Sequence, residues 1–280
     1  MALWATIRGL LELTRPINVI AASMLTFLGA YVAGGVVESP INVGSAIAAT
    51  ALAVGAGNAV NDYFDREIDR INQPRRAIPR GAVSPRGALL FSGVLFALAV
   101  GFAVTLPRLA IAIAGINLLA LISYTEWFKG LPGVGNALVA YLVGSTFLFG
   151  GAAVGDVWAT VVLFVLAAVS TLTREIIKDV EDIDGDREEG LRTLPIAIGE
   201  RRSLQVATLL LLIAVIASPL PYFTHEFGVA YLALVIPADV VMLYAAYESF
   251  DDPTAGQSHL KYGMFLAVLA FIVGRATGSF

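Results

Sequence analysis

Two short stretches of this chain carry acids at the same spacing. Residues 61–81 read NDYFDREIDRINQPRRAIPRG, with acids at Asp62, Asp65 and Asp69. Residues 174–195 read REIIKDVEDIDGDREEGLRTLP, with Asp179, Asp182 and Asp186. Asp62 and Asp179 stand 117 residues apart, as do Asp65 and Asp182, and Asp69 and Asp186. The repetition suggests two related halves. Steps of three and four residues place side chains on one helical face. Asn58, Asn61, Asp62, Asp65 and Asp69 are therefore expected on one face, and Asp179, Asp182 and Asp186 on another. Like charges at this spacing destabilise a helix by a few tenths of a kcal/mol, so the pattern must gain something elsewhere.

Oxygen-only donors suit a hard cation, Mg²⁺ above all, which keeps waters and binds one or two carboxylates plus phosphate oxygens. The chain has no cysteine, which removes thiolate zinc sites, disulfides and cysteine nucleophiles together. The partner expected at such clusters is a diphosphate carrying Mg²⁺. Lys178, Arg75, Arg76, Arg192 and Lys129 are placed to contact phosphate, the arginines in bidentate fashion. A charge run is ordinarily a solvated loop. Here, however, residues 61–86 and 174–202 hold 25 of the chain's 40 charges, and that concentration favours a site.

The elements that position these residues follow from composition. Of 280 residues, 58% are hydrophobic and only 14% charged, against about a quarter charged in soluble domains. Mean hydropathy is +0.79. These values exclude a soluble globule and imply a membrane protein. Nine apolar stretches follow one another, at 17–37, 41–63, 87–105, 109–124, 134–154, 157–173, 203–221, 229–247 and 261–278. The sixth is expected to continue as helix into the second acidic segment. Alternating polar and apolar runs are absent, which argues against a barrel. The expected fold is all-α, one polytopic domain over 1–280 with nine transmembrane helices. Residues 1–14 read as an amphipathic helix on the membrane surface rather than a signal peptide. With the N-terminus cytoplasmic, every basic residue except Arg108 and Arg275 falls on the inner side, the positive-inside pattern. Both acidic segments then face the cytoplasm, and the C-terminus lies outside.

At these residues the sequence resembles the UbiA-type intramembrane prenyltransferases. Asn61, Asp62, Asp65 and Asp69 match their N-D-x-x-D-x-x-x-D motif, and Asp179, Asp182 and Asp186 their D-x-x-D-x-x-x-D motif. The flanks around both motifs, the early Arg15-Pro16-x-Asn18 and the run from Tyr124 through Lys129 to Gly135-Asn136 are similar to one branch, the archaeal digeranylgeranylglyceryl phosphate synthases. The resemblance spans the whole chain and implies a UbiA-like bundle with a cytoplasmic active site. It implies transfer of a geranylgeranyl group from geranylgeranyl diphosphate to geranylgeranylglyceryl phosphate in the cell membrane, the second ether bond of archaeal lipids.

On that reading the donor diphosphate is expected between the two acidic helix ends. Mg²⁺ is held by Asn61, Asp65 and Asp69 and by Asp182 and Asp186, with Asp62 and Asp179 as direct or water-mediated ligands. Lys178, Arg75, Arg76, Arg192 and Lys129 add positive charge. Asn18, Asn58 and Asn136 are candidates for substrate contact, the alternative for Asn18 and Asn136 being an interhelical hydrogen bond. Tyr124 is a candidate for stabilising a carbocation with its ring, or an interfacial anchor. No histidine is placed as a base. Asp239, inside the eighth stretch beside Pro237, suits either a substrate cavity or a structural hydrogen bond. Membrane lipids are the expected surroundings; nucleic acid is not an expected partner, and the sequence is silent on oligomeric state. Rival readings are an aromatic-acceptor prenyltransferase, a CDP-alcohol phosphotransferase, whose D-G-x-x-A-R lead-in is missing, and a divalent-cation transporter.

Overall fold

In the computed structural model, which describes residues 2–128 and 130–278, each of the nine apolar stretches forms a helix. In order, these and their shorter companions are α1 (Ala2–Leu13), α2 (Pro16–Val32), α3 (Pro40–Phe64), α4 (Arg66–Asn72), α5 (Pro85–Ala103) and α6 (Arg108–Ser123). Then come a π-helical turn at Tyr124–Phe128, α7 (Val134–Ala153), a 3₁₀ turn at Trp158–Thr160, α8 (Val161–Glu181), α9 (Ile183–Glu188) and α10 (Leu194–Ile198). The chain closes with α11 (Glu200–Ala217), α12 (Leu220–Phe223), α13 (Val229–Glu248) and α14 (Pro253–Thr277). Proline stands in the first turn of α2, α3, α5 and α14, where its missing N–H is no loss. Ser84 caps α5 and Asp252 caps α14 by accepting a backbone N–H.

Among the described residues, seven helices are long and apolar enough to cross a membrane, and α1 with α2 forms a bent pair, 46° at the break, that makes an eighth. The expected count of nine is reached only if α6 crosses too. Its 16 residues rise only about 24 Å, short of a hydrocarbon core about 30 Å thick. Large apolar side chains such as Ile20, Leu90, Ile216 and Tyr247 are exposed, as expected where the solvent is lipid.

The contacts divide the chain into two compact units. The first runs to Leu118 and takes in Thr146–Val157; the second takes Leu119–Ser145 and the chain from Trp158 onward. In the first unit α3 packs on α5 and α2. Leu13, Ala59, Ala77, Ile78, Val83 and Ala88 form a core cluster that seats the 73–84 loop against α1 and α3. The backbones of α2 and α7 meet directly in this unit. A Cβ added at Gly29 would fall on the Phe147 backbone, and one added at Gly150 on the Thr26 backbone. Small residues at a crossing of this kind let two helices approach in lipid. In the second unit α8, α11, α13 and α14 share a core of Ile176, Ile177, Val180, Leu204, Leu211, Met242 and Leu260.

The expected repeat appears in the elements themselves. The ends of α3 and α8 lie 117 residues apart, and so do the starts of α4 and α9. Each acidic triad straddles a break between two helices rather than lying on one unbroken helix. The break falls at the middle acid both times, Asp65 with φ −81° and ψ 3°, Asp182 with φ −93° and ψ 7°. Both occupy the bridge region of backbone space, where active-site residues are often found.

Candidate active site

In the first unit the acids of residues 61–81 are met by arginines. Asp62, at the end of α3, is only 6% exposed, and Asp69, on α4, 4%. Arg15 donates from Nη2 to Asp62 Oδ1 at 2.6 Å. Arg76 donates to Asp69 Oδ2 at 2.7 Å and stands 3.5 Å from Asp62 Oδ1. A buried carboxylate needs a partner of this kind. Backbone bonds Asp65 N–H to Asn61 O and Asp69 N–H to Asp65 O carry the helical pattern across the break.

Arg15 joins α1 to α2 in the left-handed region, φ 50° and ψ 73°, which disfavours any residue with a Cβ. Pro16 follows it and excludes the ordinary helical conformation there. Asn58 donates to the Thr14 carbonyl at 2.8 Å and so fastens the same junction to α3. Arg80 pairs with Glu12, which also receives Arg8, and these bonds tie α1 to the loop that carries Arg76. Asn18 and Arg75 are exposed, and Asn61 and Asp65 are half-buried. The sequence reading had Arg15 only as part of a flanking pattern. A basic residue before proline, just ahead of the first apolar stretch, is the available signal.

In the second unit, residues 174–195 are held differently. Asp179 lies in the last turn of α8 and accepts from Asn136 Nδ2, on α7, at 2.9 Å. Asp182 is exposed, and the Lys178 ammonium stands 3.9 Å from its Oδ2. Asp186 is half-buried, and its Oδ2 is buried with no hydrogen-bond partner. Burial pushes the Asp186 carboxyl above the usual carboxylate range, opposed by the Thr193 hydroxyl and Lys178 and reinforced by the nearby Asp182. The Arg192 side chain is exposed, while its backbone N–H donates to the Gly130 carbonyl. The Tyr124 ring lies against Gly135. Lys129 lies outside the described residues.

Among the described residues, no three acidic or histidine side chains converge closely enough to hold a metal ion by themselves. Mg²⁺ does not need such a cage, since it takes few carboxylates and fills its shell with water and substrate oxygens. The orphaned Asp186 oxygen and the oxygen-only donor set fit that cation.

Asp239, half-way along α13, accepts from Ser218 Oγ through Oδ2, and Tyr231 Oη donates to the Ser218 carbonyl at 2.7 Å. The bond to Ser218 supports the structural alternative for Asp239, although its Oδ1 has no partner.

Residues 22–269 match the UbiA prenyltransferase family. The chain is 64% identical to the digeranylgeranylglyceryl phosphate synthase of Natronomonas pharaonis over 96% of its own length and 97% of the relative's. It is 45% identical to that of Methanopyrus kandleri, covering 95% and 98%. A solved structure of a digeranylgeranylglyceryl phosphate synthase superimposes with TM-score 0.87 at 38% identity, over 96% of this chain and 98% of that one. A UbiA homolog from Archaeoglobus fulgidus, solved with GPP and Mg²⁺, shares the fold at TM-score 0.75 and 19% identity, over 96% and 98%.

Proposed function

Since the chain belongs to the UbiA prenyltransferase family, we propose that it moves a geranylgeranyl group from geranylgeranyl diphosphate to the free hydroxyl of geranylgeranylglyceryl phosphate. The product carries the second ether bond of an archaeal lipid. The observation that carries this reading is the likeness, over nearly the full length, to digeranylgeranylglyceryl phosphate synthases.

Asn61, Asp65 and Asp69 on the first acidic segment, and Asp182 and Asp186 on the second, would hold Mg²⁺ and with it the donor's diphosphate. When bound, Mg²⁺ neutralises the charge that builds on the diphosphate as the allylic C–O bond breaks. Asp62 and Asp179 act at one remove, through water or through the helix ends they anchor. Arg76, Arg75, Lys178, Lys129 and Arg192 add fixed positive charge toward the leaving group. Asn58 steadies the α1–α2 junction through the Thr14 carbonyl, the exposed Asn18 is available for substrate contact, and Tyr124 offers its ring face to the developing allylic cation. The acceptor hydroxyl attacks C1 of the prenyl chain. Its proton leaves with the diphosphate, since no histidine lies in either acidic segment. In this reading all nine apolar stretches span the bilayer, the short α6 included, the N-terminus and both acidic segments are cytoplasmic, and the C-terminus is outside.

The test is an assay with radiolabelled geranylgeranyl diphosphate and a panel of acceptors, with and without Mg²⁺. The expected product is the doubly alkylated glyceryl phosphate, formed only with Mg²⁺. Transfer to hydroxybenzoate, with none to the glyceryl phosphate lipid, refutes the acceptor assignment and favours an aromatic substrate.

A further inference from the structure

Asn136 is 9% exposed and sits in the first turn of α7. Its amide reaches Asp179, 43 residues on in the chain. The start of α7 is itself held in place. Gly133 adopts φ +70°, and a Cβ at Gly135 would come within 2.9 Å of the Phe128 carbonyl. The same stretch grips the far end of the second acidic segment, since the Gly130 carbonyl accepts from Arg192 N–H and Gly130 packs against Leu191. Residues 130–136 therefore bracket the segment, by Asp179 at its start and Arg192 near its end.

Between those two points Val180 is buried in the core of the second unit, and beyond it little besides Ile183 fixes the segment. The helix breaks at Asp182, and α9 is six residues long with Ile183 as its one buried residue. Backbone bonds pass from Asp182 to Lys178 and from Asp186 to Asp182. The direction in which α8 ends thus decides where Asp182 and Asp186 project. The donor chosen for Asp179 also differs in kind from that of its counterpart. Asp62 is held by the charged Arg15, whereas Asp179 is held by a neutral amide. An amide orients a carboxylate without cancelling its charge, so the negative potential that draws a cation is kept.

We propose that Asn136 is a positioning residue for the second acidic segment. Its amide anchors the last turn of α8 through Asp179 and so sets the presentation of Asp182 and Asp186 to Mg²⁺. This rests on the reading above that those two acids hold the ion. Groups that orient metal ligands typically change metal affinity by about 10–100-fold when removed.

The experiment is Mn²⁺ binding followed by electron paramagnetic resonance on the purified full chain in lipid nanodiscs, beside the Mg²⁺ dependence of kcat and of the donor KM. Asn136→Ala is expected to weaken Mn²⁺ binding about tenfold and to raise the Mg²⁺ requirement in parallel, with the fold kept and the melting temperature lowered by the lost bond to Asp179. The exchange Asn136→Asp with Asp179→Asn rebuilds the amide–carboxylate bond in reverse. It is expected to bind Mn²⁺ far better than Asp179→Asn alone. Wild-type Mn²⁺ affinity in Asn136→Ala overturns the proposal. So does an exchanged protein as weak as Asp179→Asn, which makes the carboxylate at 179 a ligand in its own right. If Asn136→Ala does not fold, Asn136→Ser is read by the same criteria. A wild-type protein that binds Mn²⁺ but ignores the glyceryl phosphate acceptor refutes the function while leaving this inference standing.

Discussion

Replacing Arg15 separates two effects that meet at one residue. Its guanidinium lies 2.6 Å from Asp62, and the two side chains are 37% and 8% exposed. Removing one partner of a fully buried pair costs about 3–5 kcal/mol, and of an exposed pair about 0–1 kcal/mol. Arg15 is more than a third exposed and Arg76 keeps a weak hold on the same oxygen at 3.5 Å, so Arg15→Ala should cost about 2 kcal/mol, between those limits. The left-handed backbone at Arg15 adds a second signal. Alanine suffers there as arginine does, but glycine does not, and Arg15→Gly should recover about 1 kcal/mol of the loss. Equilibrium unfolding in mixed micelles reads both numbers. An Arg15→Ala protein within about 0.5 kcal/mol of wild type, the range of a neutral surface change, refutes the ion-pair argument. A glycine variant no more stable than the alanine variant refutes the backbone argument.

Asp65→Asn and Asp182→Asn should each leave the fold intact and remove nearly all turnover; substantial activity in both would end the Mg²⁺ assignment. Stripping divalent cations with EDTA should abolish transfer, and added Mg²⁺ should restore it. Burial raises the Asp186 carboxyl pKa, so protons compete with Mg²⁺ there at higher pH than at an ordinary aspartate. As pH falls the Mg²⁺ needed for half-maximal rate should climb by up to about tenfold per unit once protons compete at Asp186, and a climb that begins no earlier than an ordinary aspartate would give contradicts the assignment. The metal-free protein behaves oppositely, because a raised carboxyl pKa makes the folded state the better proton binder and this group favours folding as pH falls. Gly150→Ala should destabilise by about 1–3 kcal/mol through overpacking, visible as a lowered melting temperature, whereas Gly93→Ala, with open space around its Cβ position, should be nearly neutral.

The helices were legible because lipid imposes a simple rule. Each stretch from Ile17 to Gly278 had to be apolar for about 20 residues, and each proved helical. Where the solvent changes, the pattern loses force. The apolar run ends near Thr173, and α8 does continue into the acidic segment as expected, but nothing in the pattern marked its end at Glu181. The breaks at Asp65 and Asp182 were hidden because the i→i−4 bonds persist across them, so spacing alone reads as one helix. Residue types at the site were legible, and their partners were not. Asp62 finds Arg15 across 47 residues, and Thr14 finds Asn58 across 44. Such pairs depend on how helices pack, which periodicity does not encode.

The glycines where α2 meets α7 have a consequence for traffic through the bilayer. Gly29 and Gly150 bring the two backbones so close that not even a methyl group fits between them. That seam is shut to an isoprenoid tail and to water alike. A long hydrophobic substrate entering sideways from the leaflet, or a product leaving the same way, must use a gap bounded by other helices.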